Sequence, residues 1–315
     1  MKTKFKSIIC VAYNSFCGVV CAGAVMLASS VRAQTYTILD DPLGVNGTYV
    51  NGISGNNIVG YYVDSSGHNN GFLYNGSTYT TLNEPFGGSG IVPNGIDGNN
   101  IVGYYESTSG ECGFRYNGST YTTLNDPLGV GTTYPIGISG NNIVGYYWIA
   151  GKAHGFLYNG STYTTLDDPL GVYGTFVTGI SGNNIVGSYL DSSRNYRSFL
   201  YSGGTYTTLN NPLGVNGTSA AYGIDGNNIV GTYADSSGVH GFLYNGSTYT
   251  TLNNPLGVLG IYPTSISGNN IVGYCVDNSG YAYGFETSIE PVPEPSNLAL
   301  AGLGGLGLLL FRRRK

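Results

Sequence analysis

Short apolar runs separated by turn residues repeat along most of the chain. An Ile-Val-Gly motif places its glycine at positions 60, 103, 145, 187, 231 and 273. A Tyr-Thr run places its tyrosine at 36, 79, 121, 163, 206 and 249. The spacing is 42 to 44 residues. A fixed period of this length is typical of folds built from one repeated supersecondary unit.

Each unit contains four apolar runs, which in the third unit cover residues 135–138, 142–147, 155–158 and 162–166. Three of the links between runs are short, and those at 139–141 and 159–161 contain the Asn and Gly that tight hairpin turns require. The link between units at 125–131 is long and contains Pro127. Three hairpins and one longer crossing predict a four-stranded antiparallel blade followed by a step to the next blade.

The two ends of the repeat region are complementary. The region begins with a Tyr-Thr strand at 35–39 that has no preceding Gly-Phe strand, and it finishes with a Gly-Phe strand at 283–286 that has no following Tyr-Thr strand. We therefore predict an all-β, six-bladed β-propeller over residues 34–290, closed by pairing of the N-terminal strand with the last blade. An open β-solenoid is the alternative, but it would not need complementary ends.

The composition agrees with an all-β chain and restricts the partners. The protein has 52 Gly and 29 Tyr and only 9% charged residues, a mixture that favours strands and turns over helices. Residues 34–290 contain 16 acids and four bases, a net charge of −12, which disfavours nucleic acid as a partner. Cys112 and Cys275 lack metal-site spacing, and we interpret them as unpaired.

The first 33 residues have the organisation of an export signal. Lys2, Lys4 and Lys6 precede an apolar stretch, and small residues lead to Ala33. We predict a signal peptide over 1–33 that signal peptidase cleaves after Ala33. A permanent N-terminal anchor is disfavoured because polar residues at 13–15 interrupt the apolar run.

Residues 291–315 differ from the repeats in composition. An apolar helix is predicted at about 297–311, followed by a basic tail at 312–315. The apolar run 298–311 would extend about 21 Å as a helix, which is less than the hydrocarbon core of a membrane, about 30 Å. The residues predicted to form the sorting motif are Val292, Pro293, Glu294, Pro295, Arg312, Arg313 and Arg314.

This order of triplet, apolar helix and arginine cluster resembles the PEP-CTERM sorting signal of Gram-negative bacteria. The resemblance implies recognition by a membrane-embedded exosortase, removal of the tail, and delivery to the cell surface or to an exopolysaccharide (biofilm) matrix. Contact with the membrane would then be transient and through the C-terminal helix. A simple C-terminal anchor is the alternative.

The repeats resemble bacterial extracellular HAF repeats, named for a His-Ala-Phe element. The matching residues are His154-Gly155-Phe156 and His240-Gly241-Phe242. The resemblance implies a secreted, propeller-like protein and no particular activity.

Residues that break the repeat are the candidates for a ligand site, because features shared by all units solve the same folding problem in each. Aromatic rings beside mixed charges suit a sugar or protein ligand, since a ring offers a flat apolar surface and polar groups fix orientation. Neutral variation in exposed loops is the alternative. The candidate residues, all predicted on the face that carries the long links, are Glu106, Glu111, Trp148, Lys152, Arg194, Tyr196 and Arg197.

Neither a cofactor nor a metal is predicted. Asp64, Asp191, Asp235 and Asp277 could supply oxygen ligands to calcium, but they lack the alternating acids of a calcium loop and are better explained as turn caps. Carboxylates before the link prolines leave a cation site open as an alternative. The three histidines, in different units, are assigned packing or hydrogen-bonding roles.

Three functions follow from these patterns. The leading hypothesis is a non-catalytic surface or matrix protein that binds an extracellular polysaccharide or a surface protein. The alternatives are a glycan hydrolase or lyase on a propeller scaffold, recognisable by a close carboxylate pair in a cleft, and a purely structural matrix filler.

Mass spectrometry of the exported protein checks the predicted processing. We expect an N-terminus at Gln34 and the loss of the tail near the Pro-Glu-Pro triplet, because signal peptidase and exosortase each remove one end. A mature chain that still ends in Lys315 would contradict removal of the tail.

Overall fold

The computed structural model describes residues 7–9, 34–83, 86–108, 110–129, 132–253 and 259–289. Most of the predicted signal peptide and the whole predicted sorting segment, including the helix at about 297–311, lie outside these residues. The described chain is all-β, as predicted, with one short 3-10 turn at Val215–Gly217 and no α-helix.

The first three units each contain four strands in chain order. Unit one has β3 (Thr48–Ser54), β4 (Asn57–Val63), β5 (Asn69–Tyr74) and β6 (Tyr79–Leu82). Unit two has β7 (Gly90–Asp97), β8 (Asn100–Ser107), β9 (Gly110–Tyr116) and β10 (Tyr121–Leu124). Unit three has β11 (Thr133–Ser139), β12 (Asn142–Ile149), β13 (Lys152–Tyr158) and β14 (Tyr163–Leu166).

The remaining strands form three further units. Unit four has β15 (Gly174–Ser181), β16 (Asn184–Leu190), β17 (Tyr196–Ser202) and β18 (Thr205–Leu209). Unit five has β19 (Ser219–Asp225), β20 (Asn228–Asp235), β21 (Gly238–Tyr244) and β22 (Tyr249–Leu252). Unit six has β23 (Gly260–Ser267), β24 (Asn270–Val276) and β25 (Ala282–Ser288), and it takes its fourth strand, β2 (Thr35–Leu39), from the N-terminal end of the repeats.

All pairing within a unit is antiparallel, and β2 pairs with β25 from Tyr36 opposite Thr287 to Leu39 opposite Gly284. Single parallel bridges join β13 to β15 and β21 to β23. The segment β1 (Ser7–Ile9) pairs with the outer edge of β2. Since β1 belongs to the predicted signal peptide, cleavage after Ala33 would remove it.

The Asn-Gly-Ser turns close the third hairpin of their units as predicted. In unit one, the side-chain oxygen Oδ1 of Asn75 accepts hydrogen bonds from the backbone N–H groups of Ser77 (3.1 Å) and Thr78 (2.9 Å), and Gly76 has a φ of +90°. An asparagine side chain that caps its own turn explains this motif without glycosylation.

The Ile-Val-Gly motif is apolar on both sides because both faces of each unit are covered. In unit three, Ile143 packs with Val102 and Leu124 towards unit two, whereas Val144 packs with Val177 towards unit four. Both Ile143 and Val144 are fully buried. Consecutive apolar residues thus mark a strand buried on both faces, in contrast to the alternation of a half-exposed strand.

The glycine of this motif leaves no room for a side chain. A Cβ added to Gly145 would lie 2.0 Å from the carbonyl oxygen of Tyr134 and 2.9 Å from the ring of Phe156. Phe156 is itself 1% exposed, and burial of such a ring contributes about 1.5–3 kcal/mol. The glycine therefore lets the first strand and the buried phenylalanine approach the second strand closely.

The first strand of every unit contains a β-bulge. In unit one the register shifts between Val50 and Gly52, so that Asn51 is the extra residue. A bulge re-aims the side chain of the extra residue. The bulged residues surround a narrow central cavity of about 90 Å³. They are Asn51, Asn94, Ile136, Thr178, Tyr222 and Thr264.

Hydrogen bonds connect the end of each first strand to the turn of the following unit. The Gly98 N–H donates to the Ser54 hydroxyl at 3.1 Å, and the Gly140 N–H donates to Asp97. The same contact recurs from Gly182 to Ser139, from Gly226 to Ser181 and from Gly268 to Asp225. The Gly55 N–H donates to Ser267 at 3.2 Å, which joins unit one to unit six.

A pair of glycine substitutions tests the close approach in unit three. We expect Gly145→Ala to lower the free energy of unfolding by about 3 kcal/mol or more, because the new methyl group overlaps a backbone carbonyl. Gly140→Ala is the matched control, since its Cβ would meet nothing within 4 Å and only its φ of +60° is unfavourable, at about 1 kcal/mol. Urea unfolding measures both, and equal losses would contradict the packing argument.

Candidate functional site

A belt of aromatic rings lies at one mouth of the central cavity. Each unit contributes two opposed residues, one from the first strand and one from the second. The belt is on the link-loop face, by which we mean the end of the units that carries the long links and the second hairpin loops. The first-strand members are Tyr49, Val92, Tyr134, Phe176, Ala220 and Tyr262. The second-strand members are Tyr61, Tyr104, Tyr146, Ser188, Thr232 and Tyr274.

Where a unit has two aromatic members, the rings stack. The centroids of Tyr134 and Tyr146 are 5.0 Å apart with an interplanar angle of 22°. Contacts between units are edge-to-face, as between Tyr146 and Phe176 at 5.3 Å and 73°. Both geometries are the favourable ones for aromatic pairs, so neighbouring rings of the belt stabilise one another.

The belt lacks a ring in units two, four and five, and in unit two Val92 takes the first-strand position opposite Tyr104. Ser188 replaces the second-strand tyrosine of unit four, and unit five has Ala220 and Thr232 in place of both rings. These three small side chains line a cavity of about 470 Å³, which we name the belt cavity. Its volume is in the range of about 300–1,000 Å³ that is usual for small-molecule sites. Aromatic side chains that also line it are Tyr146, Phe176, Tyr196, Tyr222, Tyr233 and Tyr262.

The lining of the belt cavity is uncharged. None of the described residues that form it is an acid, a base or a cysteine. Burial raises the pKa of Tyr146 to about 12 and also raises the pKa of Tyr222, so both phenols keep their protons at neutral pH. The Thr232 hydroxyl donates to the phenol oxygen of Tyr222 at 3.3 Å. The site therefore offers flat rings and neutral hydroxyl groups.

Two of the residues singled out in the sequence contact Phe176 of the belt, and of these Tyr196 lines the belt cavity whereas Trp148 does not. Tyr196 lines the belt cavity and is 43% exposed, and its ring centroid is 6.0 Å from that of Phe176. Trp148 is 37% exposed and contacts the same phenylalanine at 5.9 Å. The structure thus brings Trp148 and Tyr196, from different units, into contact with one half-buried ring, that of Phe176.

The predicted cations are placed elsewhere on the link-loop face. The Arg194 guanidinium lies 4.3 Å from the centroid of the Tyr173 ring, and Arg197 forms an ion pair with Asp191 at 2.9 Å. Lys152 begins β13 opposite Ile149. None of these three bases lines the belt cavity.

Glu106 and Glu111 are direct partners across β8 and β9. The Ser89 hydroxyl donates to Glu106 at 2.8 Å, and the Tyr134 phenol donates to Glu111 through a short hydrogen bond. Glu111 thereby holds one ring of the belt in place. The two carboxylates lie in unit two and do not line the belt cavity.

The residues that matter most for the cavity were not among those singled out from the sequence. Phe176 and Tyr222 lie inside strands, and Ser188, Ala220 and Thr232 are small residues whose significance is the missing ring. Alignment of the units on the glycine of Ile-Val-Gly carries the signal, because the following residue is Tyr in four units and Ser or Thr in the other two.

Two of the three histidines form side-chain hydrogen bonds with nearby aspartates, in line with the role assigned to them. His154 Nδ1 lies 2.7 Å from Asp167 Oδ2, and His240 Nε2 lies 2.9 Å from Asp235 Oδ1. Within the described residues, no group of three His, Cys, Asp or Glu side chains is arranged to hold a metal. Cys112 and Cys275 are unpaired and buried, as interpreted from the sequence.

The loop aspartates cap their turns. Asp64 Oδ1 accepts from the backbone N–H groups of Ser66 at 2.8 Å and His68 at 3.1 Å. Asp277 makes the equivalent contacts with Ser279 and Tyr281. These hydrogen bonds explain the residues without calcium.

The carboxylates before the link prolines are divided between surface and interior. Asp168 is 4% exposed, and its Oδ1 accepts from the Leu170 N–H at 2.8 Å while its own N–H donates to Thr175. Its Oδ2 is buried and has no hydrogen-bond partner within the described part of the chain. Asn211 replaces this aspartate in the next link and holds Leu213 in the same way. Such buried carboxylates shape the links and are poorly placed for an external cation.

Comparison with known proteins gives a match for the C-terminal segment. Residues 291–315 match the PEP-CTERM protein-sorting motif, which confirms the motif predicted from the sequence. The motif indicates export and membrane-anchored sorting to the cell surface. Comparison with curated protein sequences found no match.

Solved structures similar to this chain are β-propellers. The β-propeller domain of the trilobed protease from Pyrococcus furiosus, described as having an open velcro topology, has 10% identity and a TM-score of 0.53, over 82% of this chain and 86% of its own. A fucose-specific lectin from Aleuria aurantia has 14% identity and a TM-score of 0.50, over 79% and 97%. A gluconolactonase from Xanthomonas campestris has 12% identity and a TM-score of 0.51, over 84% and 93%.

These low identities show the fold alone, and they confirm the β-propeller class. In the described part of the chain, no helix is long and apolar enough to cross a membrane.

The buried link carboxylates predict a pH effect on stability. Burial raises the pKa of Asp168, so the folded chain holds this proton more tightly than the unfolded chain does. The contribution of Asp168 to stability is then greatest below the unfolded pKa, about 3.9, and falls as the pH rises through the raised folded value. We expect Asp168→Asn to raise the Tm at pH 7 more than at pH 3.5, because the substitution removes the cost of a buried charge only where the carboxyl group is ionised.

Asn211→Asp is the reciprocal variant, and we expect it to lower the Tm at pH 7 more than at pH 3.5. Thermal unfolding at the two pH values measures both. A shift that is the same at both pH values would contradict the burial of these charges.

Proposed function

We propose that this protein is a non-catalytic, exported surface protein whose six-bladed propeller binds extracellular glycan at the belt cavity. The observation that carries the proposal is the belt cavity itself, a volume of about 470 Å³ walled by aromatic rings and hydroxyl groups. Rings stack on the apolar faces of sugars, and hydroxyl groups exchange hydrogen bonds with theirs.

The proposed architecture is a ring of six blades closed by the N-terminal strand. Pairing of β2 with β25 supports closure, as does the hydrogen bond from the Gly55 N–H to Ser267. Apolar contact between units one and six also supports it, because Leu39, Val50 and Val272 belong to one buried cluster. Residues 34–290 then form a single domain.

The proposed route to the surface uses two processing enzymes. Signal peptidase would cleave after Ala33, and an exosortase would act on the PEP-CTERM segment at 291–315. The membrane contact would be transient. The resemblance of the repeats to HAF repeats, and a location in a biofilm matrix, stay predictions.

The proposal of a non-catalytic protein is supported by the chemistry of the cavity. General acid–base catalysis needs a titratable group near the operating pH within reach of the substrate. The described residues of the belt cavity offer only phenols, which keep their protons at neutral pH. Glu106 and Glu111, the carboxylate pair that a hydrolase would need, lie outside it.

Contact with a surface protein is a second candidate, and one observation favours it. The long links present apolar side chains to solvent, with Leu43, Leu128 and Leu170 each about 60% exposed. Exposed apolar groups on one face are typical of protein interaction sites.

A glycan array probed with the purified protein tests the proposal. We expect Tyr196→Ala to weaken binding to the glycans that wild type selects by roughly tenfold, which corresponds to one lost aromatic contact. Trp148→Ala should weaken binding by less, because Trp148 packs on Phe176 and does not itself line the cavity. Phe86→Ala is the matched control, because Phe86 is 39% exposed but stacks on Tyr105 in unit two, away from the cavity. No binding of wild-type protein to any glycan would refute the proposed function.

A further inference from the structure

The belt cavity exists because the repeat is broken, and this indicates how its ligand is selected. Units one, three and six have aromatic residues at both belt positions, and the two rings of each unit stack on each other. Unit five has no ring at either position. A tyrosine at residue 188 or 232 would restore the pattern and occupy the volume.

We propose that the belt cavity binds one uncharged sugar residue per chain and that Ser188, Ala220 and Thr232 determine this specificity by their small size. The inference rests on the proposed glycan-binding function, and it adds the location, the chemical class and the stoichiometry. The sugar would contact the rings of Phe176 and Tyr262, which line the cavity.

Hydrogen-bonding groups are present for the hydroxyls of such a sugar. Tyr146, Tyr196 and Tyr262 line the cavity, and no hydrogen bond joins their phenol groups to another described residue. Thr232 and Tyr222 form a hydroxyl pair in the lining. A neutral sugar residue has both apolar faces and several hydroxyl groups, which matches this combination of rings and neutral donors.

The charge distribution disfavours an acidic sugar. A carboxylate or sulfate buried against rings and hydroxyl groups would lack a cation to pair with, which is costly. Two bases of the link-loop face are already engaged, Arg194 with Tyr173 and Arg197 with Asp191. The net charge of −12 over residues 34–290 would also repel an anionic polysaccharide.

The stoichiometry follows from the pattern of the belt. A protein with six equivalent units could offer a ligand site in each, but rings fill the belt in units one, three and six, and unit two keeps Tyr104 opposite a buried Val92. The site depends on two adjacent units, four and five, that both lack the second-strand tyrosine. We therefore expect one sugar site in the belt for each chain.

Substitutions that restore the repeat give the sharpest test. Full-length protein in mild detergent is titrated by calorimetry with methyl glycosides of neutral hexoses, 6-deoxyhexoses and N-acetylhexosamines, and with glucuronic and galacturonic acid. We expect wild type to bind at least one neutral glycoside with a stoichiometry of one and to bind the uronic acids at least about tenfold more weakly. Ser188→Tyr and Thr232→Tyr should each weaken binding of the neutral glycoside by at least about tenfold, because the new ring occupies the volume that the ligand would fill.

Two controls separate steric filling from damage to the fold. Ser188→Ala keeps the cavity open and should bind within about threefold of wild type. Val92→Tyr places the same new ring at the first-strand belt position of unit two, away from the cavity, and should also retain binding. The Tm of every variant is measured, and a tyrosine variant is compared only if it unfolds cooperatively near the wild-type temperature.

The outcomes distinguish this inference from the proposed function. Wild type that binds a glycan, together with Ser188→Tyr and Thr232→Tyr variants that bind it equally well, would overturn the inference and leave a glycan site elsewhere on the protein. A preference for uronic acids, or a stoichiometry above one, would overturn the assigned class or the single site. Failure of wild type to bind any glycan would remove the proposed function as well.

Discussion

The structure depends on the close approach of backbones at glycine positions. In unit three a Cβ on Gly145 would lie 2.0 Å from the Tyr134 carbonyl, and a Cβ on Gly95 of unit two would lie 2.5 Å from the carbonyl of Ile136. The first contact is between two strands of one unit, and the second is between neighbouring units. Because both approaches recur, the first strands gather around a narrow centre, and every other feature is arranged outside them.

The β-bulge at the centre connects this packing to the candidate site. The bulge places one extra residue of each first strand beside the central cavity, and in unit five that residue is Tyr222. Tyr222 also lines the belt cavity. The β-bulge occurs in the first strand of all six units. In unit five, its extra residue supplies a ring and a hydroxyl group to the belt cavity. The functional variation is in the side chains, whereas the backbone is repeated.

The candidate site was partly accessible from the sequence. Trp148 and Tyr196 break the repeat in exposed positions, and the structure places both against Phe176. Arg194, Arg197 and the glutamates also break the repeat, but they are engaged by local partners outside the cavity. A search for unusual residues finds side chains that add a charged or aromatic group more readily than positions where a ring is absent. The belt cavity is defined by rings that are absent at three positions.

The sequence by itself determined the all-β class, the repeat period, the turn positions and the sorting motif, because each depends on local chemistry: glycine and asparagine in turns, apolar runs in strands, and a linear segment at 291–315. Only the tertiary structure decided which side chains meet across units. Phe176 and Tyr262 are 86 residues apart in the chain, and both line one cavity through the packing of units four, five and six. Such contacts depend on the twist and spacing of neighbouring sheets, which no local pattern encodes.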